Sequence, residues 1–436
     1  MSKFTNNISY GNITFIILLA HSAMLFNIWL KGSNETIIPF LIVAGAVILS
    51  DLLYFRIIRH FKQDTYTIDF FLVFLLNMSV IFQSCFGNVS FNYKHFITTV
   101  IGFVACQFGF KITRNYAVIE SKKKFIYAGI YLLIAVIVVF TGRGSHWINL
   151  GFFNFQPSEF MKPLFVLVCA SSLTAQQNKV KLLGIKFVPD NVFLFLTTCV
   201  IVAVQWYCHD LGSLPTFCAS AGCAFFLRLC YPQKKFSRKK IAVIASAGVL
   251  LMITAIAFAP SYVKDRLNVD IWADQSGNGY QQCKALIAIA QGGWFGKGPA
   301  NGKLYKVAAY DNDIVFSSIS EEWGFLMAIF AVMSVILILV LAMLNHPRSY
   351  YHSMMAACIT AMLVTQMALN VFGSCNLIPF TGVTVPFISS GGSSMVSCGF
   401  MIGMLKAAQS PLYTLPPSKF MKKKNKKKGM KSDEKS

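Results

Sequence analysis

The 436-residue sequence predicts an all-α polytopic membrane protein, and three observations support this fold class. Apolar residues make up 55% of the chain, charged residues only 13%, and the mean hydropathy is +0.57. A soluble domain carries about twice that charged fraction, so these charges are too few to cover a water-soluble surface. The apolar residues also gather into runs, and about 20 of them cross a bilayer as a helix. Soluble enzymes, secreted domains and disordered chains are therefore excluded.

Twelve apolar runs supply the predicted membrane helices. Only Lys3 precedes the first run, and no small-residue cleavage site occurs before Trp29, so we predict a retained span and not a signal peptide. The tenth run is long enough to tilt or to begin outside the hydrocarbon. In chain order the runs lie near 13–30, 37–55, 66–86, 95–110, 125–141, 160–174, 191–207, 213–230, 241–259, 314–343, 354–372 and 393–407.

The basic residues predict which side of the membrane each loop faces. Lys and Arg number 39 against 17 Asp and Glu, which gives a net charge of +22. With Lys3 inside, the inner segments hold most of these residues, as the positive-inside tendency requires. Both termini are therefore predicted to be cytoplasmic. The Lys-rich tail suits anionic membrane lipids, and nucleic acid is not a predicted partner because no folded basic surface accompanies the tail.

Under this topology, four outer segments are too irregular to be simple connections. They are rich in Gly, Pro and polar residues, and they lie at 142–159, 209–213, 260–313 and 373–394. The third is a large loop between spans nine and ten, and loops of that length are usually functional or disordered. We therefore divide the chain into N-terminal spans, a membrane domain and a cytoplasmic tail, at 1–124, 125–407 and 408–436.

Few carboxylates lie on the outer side, and each has more than one interpretation. Glu159 and Lys162 are spaced i, i+3 where a span enters the membrane, so they share a helix face. A charge inside a span is expensive and faces a partner or a polar cavity. An internal ion pair and a substrate contact both stay open for this pair. The same alternatives apply to Glu321 and Glu322, which begin a long apolar stretch.

Asp274 is the candidate base of the long outer loop. Trp272 and Tyr280 flank it and several glycines follow, which indicates an outer lid bearing one carboxylate.

Asp210 lies two residues before Gly212, a residue that permits a sharp reversal of the chain. The twelve cysteines form no CxxC pair and no CxxC…HxxxH spacing, so neither a metal site nor a disulfide framework is predicted.

Taken in chain order, the outer motifs are far more specific than any single residue. The stretches at 146–162, 210–213, 272–281, 288–298, 313–316, 321–324 and 379–394, with Gln366 and Asn370, resemble the signatures of the SEDS family, the RodA, FtsW and SpoVE proteins. His146, His209 and Ser390 stand where that family usually has Arg, Pro and Tyr, and no departure touches an acidic position. The resemblance implies a ten-helix core, so the twelve predicted spans include an extra N-terminal pair.

The resemblance implies a peptidoglycan glycosyltransferase that polymerises lipid II on the outer leaflet of the bacterial cytoplasmic membrane, in elongation, division or sporulation. An acceptor hydroxyl displaces undecaprenyl diphosphate with inversion, which requires a base for the hydroxyl proton. Asp274 occupies the family's Trp-x-Asp position and is implied as that base. The residues implied to contact substrate or to shape its cavity are Arg143, His146, Trp147, Gln156, Glu159, Lys162, Asp210, Tyr280, Gln281, Lys297, Asp313, Glu321, Glu322, Ser389 and Ser393.

The implied partners are lipid II, the nascent glycan strand, membrane lipids and a cognate class B penicillin-binding protein. No cofactor is implied, and a divalent cation bridging the diphosphate stays open. Two other functions also stay open, a lipid II flippase and a non-catalytic scaffold for a transpeptidase. A transporter needs polar sites that face both sides of the membrane, so the placement of every motif on one side favours the transferase.

Overall fold

The computed structural model consists mainly of α-helices, which are named here in chain order. It describes residues 10–31, 36–61, 63–64, 66–140, 147–149, 154–174, 180–182, 185–230, 270–277, 279–344 and 347–409. The helices of these regions are α1 (Tyr10–Lys31), α2 (Ile37–His60), α3 (Thr67–Gln83), α4 (Tyr93–Thr113), α5 (Tyr116–Phe140), α6 (Pro157–Thr174), α7 (Pro189–Tyr207), α8 (Ser213–Cys230), α9 (Tyr280–Gly292), α10 (Val315–Trp323), α11 (Phe325–Leu344), α12 (Tyr350–Ser374) and α13 (Gly392–Ala408).

Two short hairpins and one 3₁₀ turn complete the described secondary structure. Strands β1 (Ile148–Asn149) and β2 (Asn154–Phe155) pair antiparallel just before α6. Strands β3 (Val180–Leu182) and β4 (Ile185–Phe187) do the same before α7. The 3₁₀ turn spans Leu304–Lys306.

The all-α polytopic fold class is confirmed. Eleven of the twelve predicted runs coincide with helices, and the run at 241–259 lies outside the described residues. Within the described chain, eight helices are long and apolar enough to cross a membrane: α1, α2, α4, α5, α7, α8, α11 and α12. The count of twelve spans stays a prediction.

The tenth run is not one helix but two. Gly324 separates α10 from α11 and has φ +93°, a left-handed conformation that side chains with a Cβ rarely adopt. Its backbone also lies against the carbonyl of Trp294, where a Cβ would collide. The long run therefore contains a short helix ahead of the membrane-spanning α11, and the sequence predicted only that the run begins outside the hydrocarbon or tilts.

Helices α4 and α13 pack at backbone contact because glycines face each other. A Cβ on Gly399 would meet the backbone of Gly102 at 2.9 Å, and one on Gly403 would meet the amide of Phe110 at 2.8 Å. Small residues permit this close approach between helices in membranes, where packing replaces the hydrophobic driving force. The contact joins a helix near the N-terminus to the last helix of the described chain.

A second link between early and late helices is ionic. Lys406 of α13 has no exposed surface, and its Nζ lies 2.9 Å from Oδ1 of Asp69 in α3. The same carboxylate accepts a hydrogen bond from Tyr54 Oη at 2.6 Å and from the backbone N–H of Tyr66 at 2.9 Å. The ammonium also lies over the Phe110 ring at 4.8 Å, a cation–π contact. Every side of this buried charge therefore has a partner.

Candidate functional site

Residues from distant parts of the chain meet at one end of the bundle, where α3 ends and α6 begins. We call it the motif end. The non-helical segment 375–391, between α12 and α13, lies there. Gln83 Nε2 donates to the carbonyl of Ile388 at 3.0 Å, and Asn370 Nδ2 donates to the carbonyl of Val383 at 2.5 Å. Buried backbone outside helices needs such partners, and here buried amide side chains supply them.

The stretch that precedes α10 lies against the same segment. Ser389 Oγ donates to the carbonyl of Asn312 at 2.7 Å, and Asn370 Nδ2 donates to the carbonyl of Asp313 at 2.8 Å. Ser389 also accepts the N–H of Val385 at 2.8 Å. The two motifs that carry Asp313 and Ser389 are therefore joined into one surface.

Asp313 is half-buried outside the membrane-spanning helices. Burial raises the pKa of its carboxyl to about 7, and the nearby charge of Asp311 contributes in the same direction. Gly382 lies so close that an added Cβ would be 3.4 Å from the carboxylate. At neutral pH this carboxyl is therefore partly protonated, and it is able to accept or to donate a hydrogen bond.

Glu159 and Lys162 form a buried ion pair on the first two turns of α6. Lys162 Nζ lies 2.6 Å from Glu159 Oε1 and 2.9 Å from Oε1 of Gln366 in α12. The side chains are only 1% (Lys162) and 4% (Glu159) exposed. Among the described residues, the second carboxylate oxygen, Glu159 Oε2, has no hydrogen-bond partner. Glu159 Oε2 is therefore an acceptor at the motif end that no described residue of the chain satisfies.

The pair is built into a wider hydrogen-bond network. Gln366 Nε2 donates to Thr384 Oγ1 at 2.8 Å, which connects α12 to the 375–391 segment. Pro163 has no N–H to offer to the carbonyl of Glu159, four residues earlier, and Ser397 Oγ of α13 donates to that carbonyl at 2.7 Å instead. The network therefore connects α6, α12 and α13.

Asp210 fixes the turn that begins α8. Its Oδ1 accepts the backbone N–H of Ser213 at 3.0 Å, as a helix-capping residue does, and its Oδ2 accepts Ser158 Oγ at 3.3 Å. Close by, the N–H of Gln156 donates to Ser393 Oγ at 3.2 Å. These five polar residues connect the starts of α6, α8 and α13.

Glu321 holds the loop that follows α9. Its Oε1 lies 2.7 Å from Lys297 Nζ, and its Oε2 accepts the backbone N–H groups of Lys303 at 3.0 Å and Leu304 at 2.9 Å. Lys297 Nζ also donates to Gln291 Oε1 at 2.6 Å. The structure thus places Lys297 and Glu321 against each other.

Glu322 holds a different part of that loop. Its Oε1 accepts the backbone N–H of Gly87, between α3 and α4, at 2.6 Å and that of Gly302 at 3.2 Å, while Oε2 accepts the N–H of Ala300 at 3.0 Å. Burial raises the pKa of Glu322 to about 7, although these three hydrogen bonds act to lower it. Glu322 therefore connects two loops of the motif end.

Asp274 lies in the turns that precede α9. Its backbone N–H donates to the carbonyl of Asp270 at 2.9 Å, and its side chain is half-buried. Gly277 packs against the Asp274 carboxylate so closely that a Cβ there would collide with it. Trp272 is exposed, and Tyr280, at the start of α9, is 37% exposed. The carboxylate thus sits in a glycine-lined turn with two accessible aromatic rings nearby.

Other predicted residues are placed as follows. Gln281 Nε2 donates to the carbonyl of Ala308 at 3.0 Å, and Trp147 is half-buried beside β1. Arg143 and His146 lie outside the described residues. No group of three or more His, Cys, Asp and Glu side chains is arranged to hold a metal ion in the described part of the chain.

Several polar residues at the motif end were not among the predicted site residues. Gln83, Thr384 and Ser394 are buried there, and Gln366 and Asn370 were noted only as matches to a motif. For Gln83, Gln366 and Asn370, the signal in the sequence was an amide side chain within an apolar run, since polar groups inside membrane helices face partners and not lipid.

The described fold and site define a multi-pass membrane protein whose irregular polar motifs converge at one end of a helical bundle. The chain belongs to the FtsW, RodA and SpoVE family of cell cycle proteins, whose family model matches residues 60–413. Helix α1 and nearly all of α2 precede the matched region.

Several relatives are about 30% identical to this chain over the residues that align. A probable peptidoglycan glycosyltransferase FtsW of Saccharophagus degradans is 31% identical over 285 residues, which cover 62% of this chain and 71% of the relative. The stage V sporulation protein E of Bacillus subtilis is 29% identical over 292 residues, with 63% and 75% covered. The peptidoglycan glycosyltransferase RodA of Mycobacterium bovis is 30% identical over 289 residues, with 63% and 60% covered.

Solved structures share the fold. One from a peptidoglycan synthase complex, described as coordinating polymerization and crosslinking, superposes with a TM-score of 0.60 at 19% identity and covers 78% of this chain and 95% of the other. The rod shape determining protein RodA of Thermus thermophilus gives a TM-score of 0.55 at 19% identity, with 79% and 96% covered.

Proposed function

We propose that this chain is a peptidoglycan glycosyltransferase that polymerises lipid II on the outer leaflet of the bacterial cytoplasmic membrane. Membership of the family and the glycosyltransferase activity named for the FtsW and RodA relatives support the proposal. The observation that carries it is the convergence of separated motifs: side chains of α3, α12 and α13 bind one non-helical segment at one end of the bundle, and α6 joins α12 there through Lys162 and Gln366. A site of that kind serves chemistry at one membrane surface.

The proposed reaction is an inverting displacement. The 4-hydroxyl of the acceptor GlcNAc attacks C1 of the donor MurNAc, a β-1,4 bond forms, and the bond from C1 to the diphosphate oxygen breaks. The electron pair leaves with undecaprenyl diphosphate. The hydroxyl proton passes to Asp274, a half-buried carboxylate, as general base. Positive charge or hydrogen-bond donors stabilise the departing diphosphate.

Roles for the remaining predicted residues follow from their surroundings. Lys162 contributes positive charge near the leaving group, and Glu159 positions it through the 2.6 Å contact. Asp313, half-buried and partly protonated near neutral pH, is suited to a sugar hydroxyl. Arg143 and His146 are assigned to diphosphate or sugar contacts on sequence grounds alone.

The proposal includes a partner and an orientation. Both termini lie in the cytoplasm and the motif end faces outward, as the basic inner loops indicate. A cognate class B penicillin-binding protein crosslinks the glycan that this chain makes, and a structural relative comes from a complex of that kind.

The test is polymerisation of lipid II by purified protein, with and without the partner. We expect Asp274→Asn to lower the rate about 10²- to 10⁴-fold, because a general base contributes that much. Asp270→Asn is the matched control: it lies in the same turn, and its side-chain oxygen still accepts the N–H of Trp272. The control should retain polymerisation.

The outcomes separate the competing functions. Near wild-type polymerisation by Asp274→Asn would eliminate the assigned role of this carboxylate. Absence of polymerisation by the wild type with partner, together with transfer of labelled lipid II across vesicles, would indicate a flippase instead. Absence of both activities alongside stimulation of a transpeptidase would indicate a scaffold.

A further inference from the structure

A second buried polar cluster lies within the helix pair that precedes the matched family region. His21 is near the middle of α1 and Asp51 lies in α2, and both side chains have no exposed surface. His21 Nδ1 is 2.8 Å from Asp51 Oδ2. Ionisable groups inside membrane helices are costly, so their presence requires an explanation.

The cluster attaches α1 and α2 to α3. His21 Nε2 lies 3.2 Å from the carbonyl of Phe74, and Asn77 Nδ2 donates to Asp51 Oδ1 at 2.7 Å. The Asn77 side chain in turn accepts Ser50 Oγ at 2.8 Å. Each polar atom of the His21–Asp51 pair therefore has a partner, and two of those partners belong to α3.

The two side chains are complementary hydrogen-bonding groups. A carbonyl only accepts hydrogen bonds, so His21 Nε2 is the donor toward Phe74, and Nδ1 faces the Asp51 carboxyl group at 2.8 Å. Such a pair is tolerated inside a membrane, whereas either partner alone leaves an unmatched group.

The rest of each helix shows that this face is the docking face. The buried side chains of α1 and α2 recur every three to four residues, which places them on one stripe of each helix. The remaining faces are exposed and apolar, as lipid contact requires. The stripes consist of Ile13, Ile17, His21, Met24, Leu25 and Ile28 in α1 and of Val43, Val47, Asp51, Tyr54, Phe55 and Ile58 in α2.

Helix α3 also reaches the motif end. Two residues beyond Asn77 of the cluster, Ser79 Oγ donates to the carbonyl of Ile388 at 2.8 Å, and Gln83, at the end of α3, donates to the same carbonyl. At the other end of α3, Asp69 joins Tyr54 of α2 to Lys406 of α13. The N-terminal pair therefore braces the helix that holds the 375–391 segment.

We propose that α1 and α2 form a built-in accessory module, latched onto α3 by the buried, hydrogen-bonded His21–Asp51 pair, and that this docking positions the 375–391 segment. The face of α3 that carries Phe74 and Asn77 thus binds the α1–α2 pair of the same chain. His21 and Asp51 are positioning residues that act through α3.

The latch is tested by cutting the α2–α3 connection in the folded full-length protein. A protease site inserted between Gln63 and Asp64 is cleaved in detergent, and retention of the N-terminal fragment is measured by affinity capture of the remainder. The wild-type fragment should stay bound. In His21→Leu we expect the released fraction to rise at least about tenfold, because a buried carboxyl group loses its partner.

Matched variants distinguish loss of the His21–Asp51 contact from nonspecific destabilisation of the fold. His21→Leu with Asp51→Leu removes both partners and should restore much of the retention, and Asp51→Asn, which keeps the shape, should lie between. Ser22→Leu and Leu53→Ala alter neighbouring exposed positions and should behave as wild type. Full retention in every variant, or release from the wild type, would overturn the latch.

The coupling to the motif end is read from amide hydrogen exchange of the uncleaved protein. We expect faster exchange at the amides of Val385, Phe387, Ile388 and Ser389 in His21→Leu and no change in α8, which lies outside this path. Unchanged exchange at 385–389 with a released fragment would overturn the positioning role. Neither measurement uses glycan polymerisation, so failure of the proposed function leaves both interpretable.

Discussion

Lys162 is a charged side chain that is 1% exposed, and its surroundings determine what it contributes. Two contacts under 3 Å, to Glu159 and to Gln366, compensate for the loss of water. Removing one member of a buried pair typically costs about 3–5 kcal/mol, because the other is left unmatched. The cost of losing both is much smaller, which makes the double variant informative.

The first prediction at this scale concerns that double variant. Glu159→Gln or Lys162→Met alone should lower the melting temperature strongly, and the combination should largely restore it. If Lys162 also contacts the diphosphate or sugar, the restored double variant should still fail to polymerise lipid II. Thermal stability and polymerisation are measured side by side for the three variants.

Lys123→Met supplies the control for these variants. Lys123 pairs with Glu120 at 2.9 Å and with Asp190 at 2.7 Å, but all three side chains are partly exposed, and exposed pairs contribute only about 0–1 kcal/mol each. An active and stable Glu159→Gln/Lys162→Met protein would show that the buried pair is architecture alone.

The second prediction concerns pH and Asp313. The pKa of this carboxyl rises from 3.8 to about 7 on folding, so between about pH 4 and pH 7 the folded state binds more protons than the unfolded state. Stability therefore falls as pH rises through that window. Asp313→Asn should flatten this fall, which melting temperatures between pH 5 and pH 8 would reveal.

Glu322 has a raised pKa in the same window, so some slope should remain in Asp313→Asn. A slope identical to that of the wild type would contradict the raised pKa of Asp313.

The sequence predicted which acidic residues matter more readily than what they contact. Glu159 and Lys162 were expected to share a helix face, and they do. The five backbone N–H groups that Glu321 and Glu322 accept could not be predicted, because they come from loops whose conformation depends on glycines far along the chain. Nearly every residue has a backbone N–H, so the sequence does not indicate which of these groups a carboxylate will bind.

At the scale of elements, the contact between α4 and α13 gives the third prediction. A Cβ at Gly403 would meet backbone atoms of Cys106 and Phe110, which are unable to move independently of their helix. Gly403→Ala should therefore lower the free energy of unfolding by an amount typical of overpacked cores, about 1–3 kcal/mol, and the melting temperature should fall with it.

Gly45→Ala and Gly222→Ala are matched controls, because nothing lies within 4 Å of a Cβ at either site. Both lie inside helices, where Ala is preferred over Gly by roughly 0.5–1 kcal/mol. They should keep or raise stability. An equal loss in all three variants would show that the close approach is not what matters.

Apolar runs predicted the helices well because apolar side chains are required both where a membrane helix contacts lipid and where it packs in the core. The break at Gly324 was missed, since a glycine inside an apolar run is common in membrane helices and does not by itself end one. What ends the helix there is the neighbouring loop: Phe325 and Leu326 donate their N–H groups to Gly293 and Trp294.

For the whole molecule, the distribution of Lys and Arg gives the fourth prediction. Ser276, which is exposed ahead of α9, should face outward, and Lys424 in the basic tail should face the cytoplasm. Single cysteines at the two positions, on a background lacking the native thiols, should react with an impermeant maleimide from opposite sides of the membrane. Reaction from the same side would show the topology to be wrong.

The family was predictable from the whole sequence because its motifs are spread along the chain in a fixed order. The way they meet was not predictable, since Gln83 and Ile388 are 305 residues apart and only the fold brings them to 3.0 Å. Membership of the family supplied the expected convergence, and the structure supplies the contacts.

The buried Lys406–Asp69 pair has a consequence for how the chain is made. The two residues are 337 positions apart, so Asp69 enters the membrane long before its cation exists. At about 5–20 residues per second, synthesis leaves that carboxylate waiting for roughly 20–70 s. The hydroxyl of Tyr54 and the N–H of Tyr66, both local, are available throughout that interval. Hydrogen bonds from nearby residues are thus able to satisfy the Asp69 carboxylate until Lys406, its ionic partner, has been synthesised.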